Sequence, residues 1–183
     1  MIDILWQIEL ALFYAVNHGL SHPWLDAFFA FITDVRHWFP VYGVAFGWLA
    51  IKGGKKGRIA AVLAILVVVA CDQLGNILKD LTLRPRPGEG LADAFNPLGL
   101  EFKNTKSFPS NHALNNFGIA VFFSGLYKKW APVLFTAAAL VALSRVYLGL
   151  HYPSDITAGA LLGSGIGYLF VLLHRKAIDR KSV

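Results

Sequence analysis

Apolar runs close to membrane-crossing length recur along the chain. Ile59 to Leu78 supplies the roughly 20 residues that a hydrocarbon core of about 30 Å demands. Ala131 to Leu150 and Ile156 to Leu173 are similar runs, and Ala113 to Tyr127 is a little shorter. A fifth run, His37 to Ile51, is broken by Pro40, Gly43 and Gly47, and its start extends back toward Phe31. Each is read as a membrane helix. The first twenty residues differ: Asp3, Gln7 and Glu9 alternate with Ile4, Leu5, Trp6, Ile8, Leu12 and Phe13. That amphipathic pattern predicts an interfacial helix, with a sixth crossing as the alternative. It lacks the basic start and unbroken apolar region of a signal peptide. A break at Gly19 to Pro23 precedes a second short helix, Pro23 to Phe31.

The expected fold is therefore all-α: a polytopic membrane helix bundle of five or six spans forming one domain over residues 1–183. Residues 1–36 form an amphipathic N-terminal region and residues 59–173 the part that carries the motifs below. Composition agrees. Of 183 residues 56% are hydrophobic and 15% charged, and mean hydropathy is +0.53. Soluble domains carry about 25% charged residues. Disorder is excluded by this apolar content, and a disulfide framework by the presence of Cys71 alone.

A net charge of +6 would suggest nucleic acid or an anionic surface in a soluble protein. Position along the chain changes that reading. Lys52, Lys55, Lys56 and Arg58 fill one loop, Lys128 and Lys129 another, and Arg175, Lys176, Arg180 and Lys181 the tail. With the spans above, these ten of the 17 basic residues fall on one side of the membrane. The positive-inside rule makes that side, and the C-terminus, cytoplasmic. No nucleic-acid partner is expected. The segments 79–112 and 149–155 then face outward.

The outward segments carry the chemistry. Lys79 is followed seven residues later by Arg86-Pro87; Pro109-Ser110-Asn111-His112 enters a helix; and Ser144-Arg145 leads to His151 and Asp155. Taken singly, each has a plain structural use: a juxtamembrane Lys79 is an interfacial contact, and Asp155 an N-cap for the last helix. Arg145, after a long apolar run, demands a partner. Together Lys79, Arg86 and Arg145 would repel one another without an anion between them, and arginine's planar fork suits phosphate oxygens. Ser110 stands near a helix start, where free N–H groups attract phosphate. Asp155, four residues after His151, can hold one imidazole nitrogen and leave the other to attack or to take a proton. Phosphate held by cations beside two histidines points to phosphoryl transfer. Deeper in the helices, Asp72 and Asn76 recur with Lys79 on one helix face, and Asn115 and Asn116 lie one turn below His112. They either support the site, for example by Asp72 pairing with a cation beneath it, or bond helix to helix.

At these positions the chain resembles the type-2 phosphatidic acid phosphatase superfamily, which includes membrane lipid phosphatases and soluble vanadium haloperoxidases. That pattern, K-x6-RP, PSGH and SR-x5-H-x3-D, is matched at ten specified positions in order. The resemblance extends over roughly Ile59 to Leu173. It implies that His151 is the nucleophile and forms a phosphohistidine, that Asp155 orients it, and that His112 is the general acid and then the base. It implies Lys79, Arg86, Ser110 and Arg145 as phosphate ligands, with Asn111 at the position of the usual glycine and donating its backbone N–H. It implies no metal and no cofactor, and the sequence has no clustered carboxylate set. Arg84, which also precedes a proline, competes with Arg86 for the motif; the seven-residue offset favours Arg86 and leaves Arg84 as a residue supporting the site or as a headgroup or lipid contact.

The resemblance further implies an integral membrane enzyme, of the bacterial cytoplasmic membrane and facing the periplasm or exterior, that hydrolyses a lipid phosphate or diphosphate. Undecaprenyl diphosphate, phosphatidylglycerol phosphate, phosphatidic acid and lipid A 1-phosphate are the candidate substrates. The loop from Gly88 to Ser107, with Glu89, Asp93, Phe95, Phe102, Lys103 and Lys106, is expected to shape headgroup choice. The alternatives are a lipid-phosphate carrier without turnover, which leaves both histidines idle, and a vanadate-dependent peroxidase, against which the membrane spans argue.

Overall fold

The computed structural model describes residues 2–99 and 105–179; Phe102, Lys103, Arg180 and Lys181 lie outside the described residues. The chain forms α1 (Ile2–Asn17), α2 (Pro23–Thr33), α3 (Phe39–Ile51), α4 (Gly54–Thr82), a single turn α5 (Pro87–Gly90), α6 (Asn111–Leu126), α7 (Ala131–Tyr147) and α8 (Pro153–Asp179). The only extended pairing among the described residues is an isolated antiparallel bridge between Pro85 and Lys106. The all-helical expectation holds. Three helical segments are long and apolar enough to cross a membrane: Gly54–Thr82, Lys128–Tyr147 and Pro153–Asp179. The other two apolar runs form shorter helices, α3 of 13 and α6 of 16 residues.

Size of side chain decides which face is inside. On α4 the buried positions are Ala60, Ala64, Val67, Cys71 and Gly75, whereas Val62, Ile65 and Val69 are about half exposed. Lipid is as apolar as leucine, so large side chains gain nothing from the interior, and small ones allow backbones to approach. The closest approach is that of α8 to α6. Gly159, Gly163 and Gly167 recur every fourth residue on the buried face of α8. A Cβ at Gly163 would lie 2.1 Å from the Leu114 carbonyl oxygen, and one at Gly167 2.3 Å from that of Gly118. A Cβ at Gly159 would meet the Ser110 carbonyl at 2.6 Å. Glycine is thus obligatory along this seam, which also brings the first turns of α6 and α8 side by side.

The two ends of the bundle differ. At one, Lys56 Nζ donates to the Leu126 carbonyl at 3.4 Å, and His174 Nε2 contacts the Lys56 carbonyl at 3.0 Å. This end gathers the basic loop before α4, Lys128 and Lys129, and the end of α8. At the other end, α1 packs across the start of α8 and the end of α7. Phe13 is fully buried against Val146 and Tyr152. Asn17 Nδ2 donates to the carbonyls of Phe95 (2.8 Å) and Tyr147 (2.7 Å), while its Oδ1 accepts from Phe95 N at 2.8 Å. Tyr14 donates to Asp93 at 2.7 Å. From Glu9 to Asn17, the polar contacts of α1 are thus all with this one end, while Ile4, Leu5, Ile8 and Leu12 are exposed.

The glycine seam generates a paired expectation. Gly163→Ala forces α6 and α8 apart and destabilises the protein by about 1–3 kcal/mol, the usual cost of overpacking. Gly165→Ala on the same helix, where nothing lies within 4 Å, is neutral or slightly stabilising. Thermal unfolding in detergent distinguishes the two, and equal midpoints would show that the seam is not tight.

Candidate active site

The site is built where three helix ends meet. α7 stops at Tyr147 and Gly149 takes a left-handed conformation, φ 71°. A side chain there would be strained, and its Cβ would lie 2.9 Å from the Phe95 carbonyl oxygen. This turn folds the chain back so that Leu150 N and His151 N both donate to the Arg145 carbonyl, at 2.9 and 3.0 Å. His151, 2% exposed, is thereby pinned next to Arg145. Pro153 then opens α8, and Asp155 in its first turn accepts from Tyr152 N through Oδ2 at 2.8 Å. That carboxylate-to-backbone contact caps the helix. The same Oδ2 accepts from Ser107 Oγ and faces His151 Nδ1 at 3.4 Å. One carboxylate serves both the helix start and the imidazole.

The other imidazole nitrogen faces cations. His151 Nε2 lies 3.2 Å from Arg86 Nη1, which also donates to the Leu150 carbonyl at 2.8 Å. Arg145 donates through Nη1 to Thr33 Oγ1 at 2.7 Å, and its buried Nε has no partner. A buried guanidinium N–H left unspent is costly without a ligand. Lys79 donates to the Pro109 carbonyl at the start of α6 and borders an open cleft of about 440 Å³ with Asn76, Asp80, Arg86, Thr105 and Lys106. His112 stands in the first turn of α6, with Arg145, His151 and Arg86 as its titratable neighbours. Ser110 is fully buried, with its N donating to the Asp155 carbonyl at 3.1 Å. Its Oγ caps Ala113 N weakly, at 3.5 Å. The three sequence blocks converge on one place.

Burial dominates the acid–base state of His151. It holds the imidazole far below its ordinary range, at about 3, reinforced by Arg86 and Arg145 and opposed by the contact with Asp155. The ring is therefore neutral at physiological pH, with a lone pair available on the side that faces Arg86.

Other expected residues are placed differently. Asn111 turns its side chain away from the cations: Nδ2 reaches Asn76 Oδ1 at 3.1 Å and Asp72 Oδ1 at 3.4 Å, and Oδ1 packs where a Cβ at Gly75 would lie 2.2 Å away. Its backbone stands at the first position of α6. Asp72 accepts from Asn115 Nδ2 at 2.9 Å and makes no ion pair among the described residues; the polar face of α4 is bonded to α6. Asn116 donates to the His112 carbonyl at 2.8 Å. Arg84, expected either to support the site from behind or to meet the headgroup, points to Glu9, Ser154 and Asp155. The cause is local: each arginine precedes a proline, the backbone is extended at Arg86, and Ser107 N ties the Arg84 carbonyl at 2.7 Å. Thr33, Ser107 and Glu9 are contributors that no motif marks. For Glu9, the only signal is a carboxylate deep in an amphipathic helix, beyond the polar Asp3 and Gln7.

Comparison with known proteins agrees with this geometry. Residues 59–179 match the PAP2 superfamily. A lipid A 4'-phosphatase of Bacteroides thetaiotaomicron is 33% identical over 187 residues, covering 98% of this chain and 83% of that one. An undecaprenyl-diphosphatase of Sulfolobus acidocaldarius is 36% identical over 140 residues, covering 75% and 63%. The crystal structure of a transmembrane PAP2-type phosphatidylglycerolphosphate phosphatase from Bacillus subtilis superposes with a TM-score of 0.72 at 26% identity, over 99% of this chain and 89% of that one. The chain belongs to the PAP2 superfamily, and within it to the membrane lipid phosphatases.

His151 gives this geometry a direct check. Nitrogen NMR should find its imidazole unprotonated at pH 5, because burial and two arginines outweigh Asp155. The linked stability follows in sign: the unfolded chain takes up a proton near the ordinary value of about 6.5. Stability from this group is therefore lost as pH falls from about 6.5 toward 3. A protonated ring at pH 6 would overturn the assignment.

Proposed function

We propose that the protein hydrolyses the phosphomonoester or diphosphate of an envelope lipid on the extracytoplasmic side of a bacterial cytoplasmic membrane, through a phosphohistidine at His151. The observation that carries this reading is the placement of His151, with Nδ1 toward a buried carboxylate and Nε2 toward Arg86. Arg86, Arg145, Lys79 and the N–H groups at the start of α6 would hold the phosphate oxygens, and the spare Nε of Arg145 fits that role.

In the first step the Nε2 lone pair attacks phosphorus and the bond to the leaving oxygen breaks. His112 gives that oxygen its proton. In the second, His112 takes a proton from water as the water oxygen attacks phosphorus, and the P–N bond breaks to release phosphate. Asp155 stabilises the positive charge that the imidazole acquires in between. No step needs a metal or cofactor. The division into two displacements lowers the barrier to a hydrolysis that is very slow in water.

The relatives' names give the substrate classes to try: lipid A phosphates, undecaprenyl diphosphate and phosphatidylglycerol phosphate. Phosphatidic acid completes the panel. The basic clusters at the opposite end of the bundle support an outward-facing site.

Purified protein should release phosphate from at least one of these lipids in the presence of a chelator, and His151→Ala should lower the rate by at least about a thousandfold. Full activity in that variant would remove the covalent mechanism, chelator sensitivity the metal-free part, and tight binding without turnover would favour a carrier. Asn111→Gly keeps the backbone donor and frees only a side chain bonded to α4. Its kcat is expected within about threefold of wild type, against the 10²-fold or larger loss typical of a removed transition-state donor.

A further inference from the structure

We propose that Glu9 of α1 is a positioning residue for the reaction: through Arg84 it fixes the carboxylate of Asp155, and through Asp155 the imidazole of His151. The inference rests on the phosphohistidine reading above and adds a residue far from the three motif blocks.

The contacts form a closed set. Arg84 Nη1 donates to Asp155 Oδ1 and to Ser154 Oγ, each at 2.7 Å, and Nη2 donates to Glu9 Oε2 at 2.7 Å. Glu9 Oε1 accepts from Ser154 N at 3.0 Å and from Ser154 Oγ. The guanidinium lies 4.1 Å from the centre of the Tyr152 ring, with Trp6 of α1 beyond at 5.9 Å. Side-chain exposures of 15% for Glu9, 22% for Arg84 and 0% for Asp155 keep the set largely out of water. The two arginines of Arg84-Pro85-Arg86 thus bracket the pair, one on the aspartate end and one on the histidine end.

Charge explains why the set needs Glu9. Asp155 must stay negative enough to stabilise the positive imidazole formed when Nε2 attacks. A lone Arg84 bonded to Asp155 would cancel that charge at close range in a medium of low dielectric. Glu9 accepts one of the three hydrogen bonds that the guanidinium makes and returns the cluster of Glu9, Arg84 and Asp155 to a net charge of −1. It also holds Arg84, and with it Asp155 Oδ1, in one rotamer. Glu9 lies on the side of Asp155 away from Arg86 and the cleft, so it acts on the chemical step and not on headgroup binding.

The test uses full-length protein in detergent with the preferred lipid phosphate, read as kcat and KM and as the rate of acid-labile phosphoenzyme formation in a single turnover. Glu9→Gln should lower kcat and the phosphorylation rate about tenfold, the scale of a lost supporting contact, with KM within about twofold. In the double variant Glu9→Gln/Arg84→Gln the loss should not exceed that of Arg84→Gln alone, because both act through one contact. Tyr14→Phe, which loosens the same helix at Asp93, should keep kcat within about twofold. Multiplicative losses in the double variant, a raised KM at unchanged kcat, or an equal loss in Tyr14→Phe would overturn the proposal. Should Glu9→Gln fail to fold, Glu9→Asp gives the same readout, with a smaller loss of kcat at unchanged KM. A wild-type enzyme that turns over without any phosphoenzyme would instead defeat the underlying reading, whatever Glu9 does.

Discussion

The approach of α8 to α6 through Gly159, Gly163 and Gly167 is the constraint on which the site depends. It sets the two helices at backbone contact, so their first turns share hydrogen bonds: Ser110 N donates to the Asp155 carbonyl. A separation larger by one methyl group would move the His112 turn away from the turn carrying Asp155. Van der Waals packing between backbones is the adhesive available where lipid removes the hydrophobic driving force. The chemistry inherits its precision from that packing.

Against this rigid seam stands an electrostatic conflict. Lys79, Arg86 and Arg145 come together around two histidines, and the buried Arg145 keeps a donor unpaired. A fold with nothing to bind would not retain such a cluster, because burial of unpaired charge costs several kcal/mol. The conflict is partly relieved from outside by Asp155, whose partner Arg84 is shared with Glu9. Burial first, and then Arg86 and Arg145, keep His151 unprotonated, so in the proposed mechanism the cations that would hold the phosphate also prepare the attacking nitrogen.

The long apolar runs and the three motif blocks were legible because each depends on local pattern: length for a crossing, spacing for a motif. Both helices of the glycine seam were anticipated, but the seam itself was not, since a glycine every fourth residue acquires meaning only when a partner helix is known. Arg84 was left between a supporting role and a headgroup contact because its neighbour matched the motif better, and nothing in its immediate sequence names Glu9 75 residues away. Thr33 and Ser107 were missed for the same reason. A hydroxyl at a helix end or in a loop has no signature until the group it meets is in place. Asn111 shows the reverse: its identity drew attention, yet its side chain is turned to Asn76 and Gly75.

Glu9 lies in the first helix and its partner Ser154 in the last. The carboxylate meets its partners only 75 and 145 residues further along the chain. Until α8 begins, Arg84 has no Asp155 to hold and α1 has no complete surface to dock on. Docking of α1 therefore needs the start of α8 in place, and the site is completed by two segments 145 residues apart in the chain.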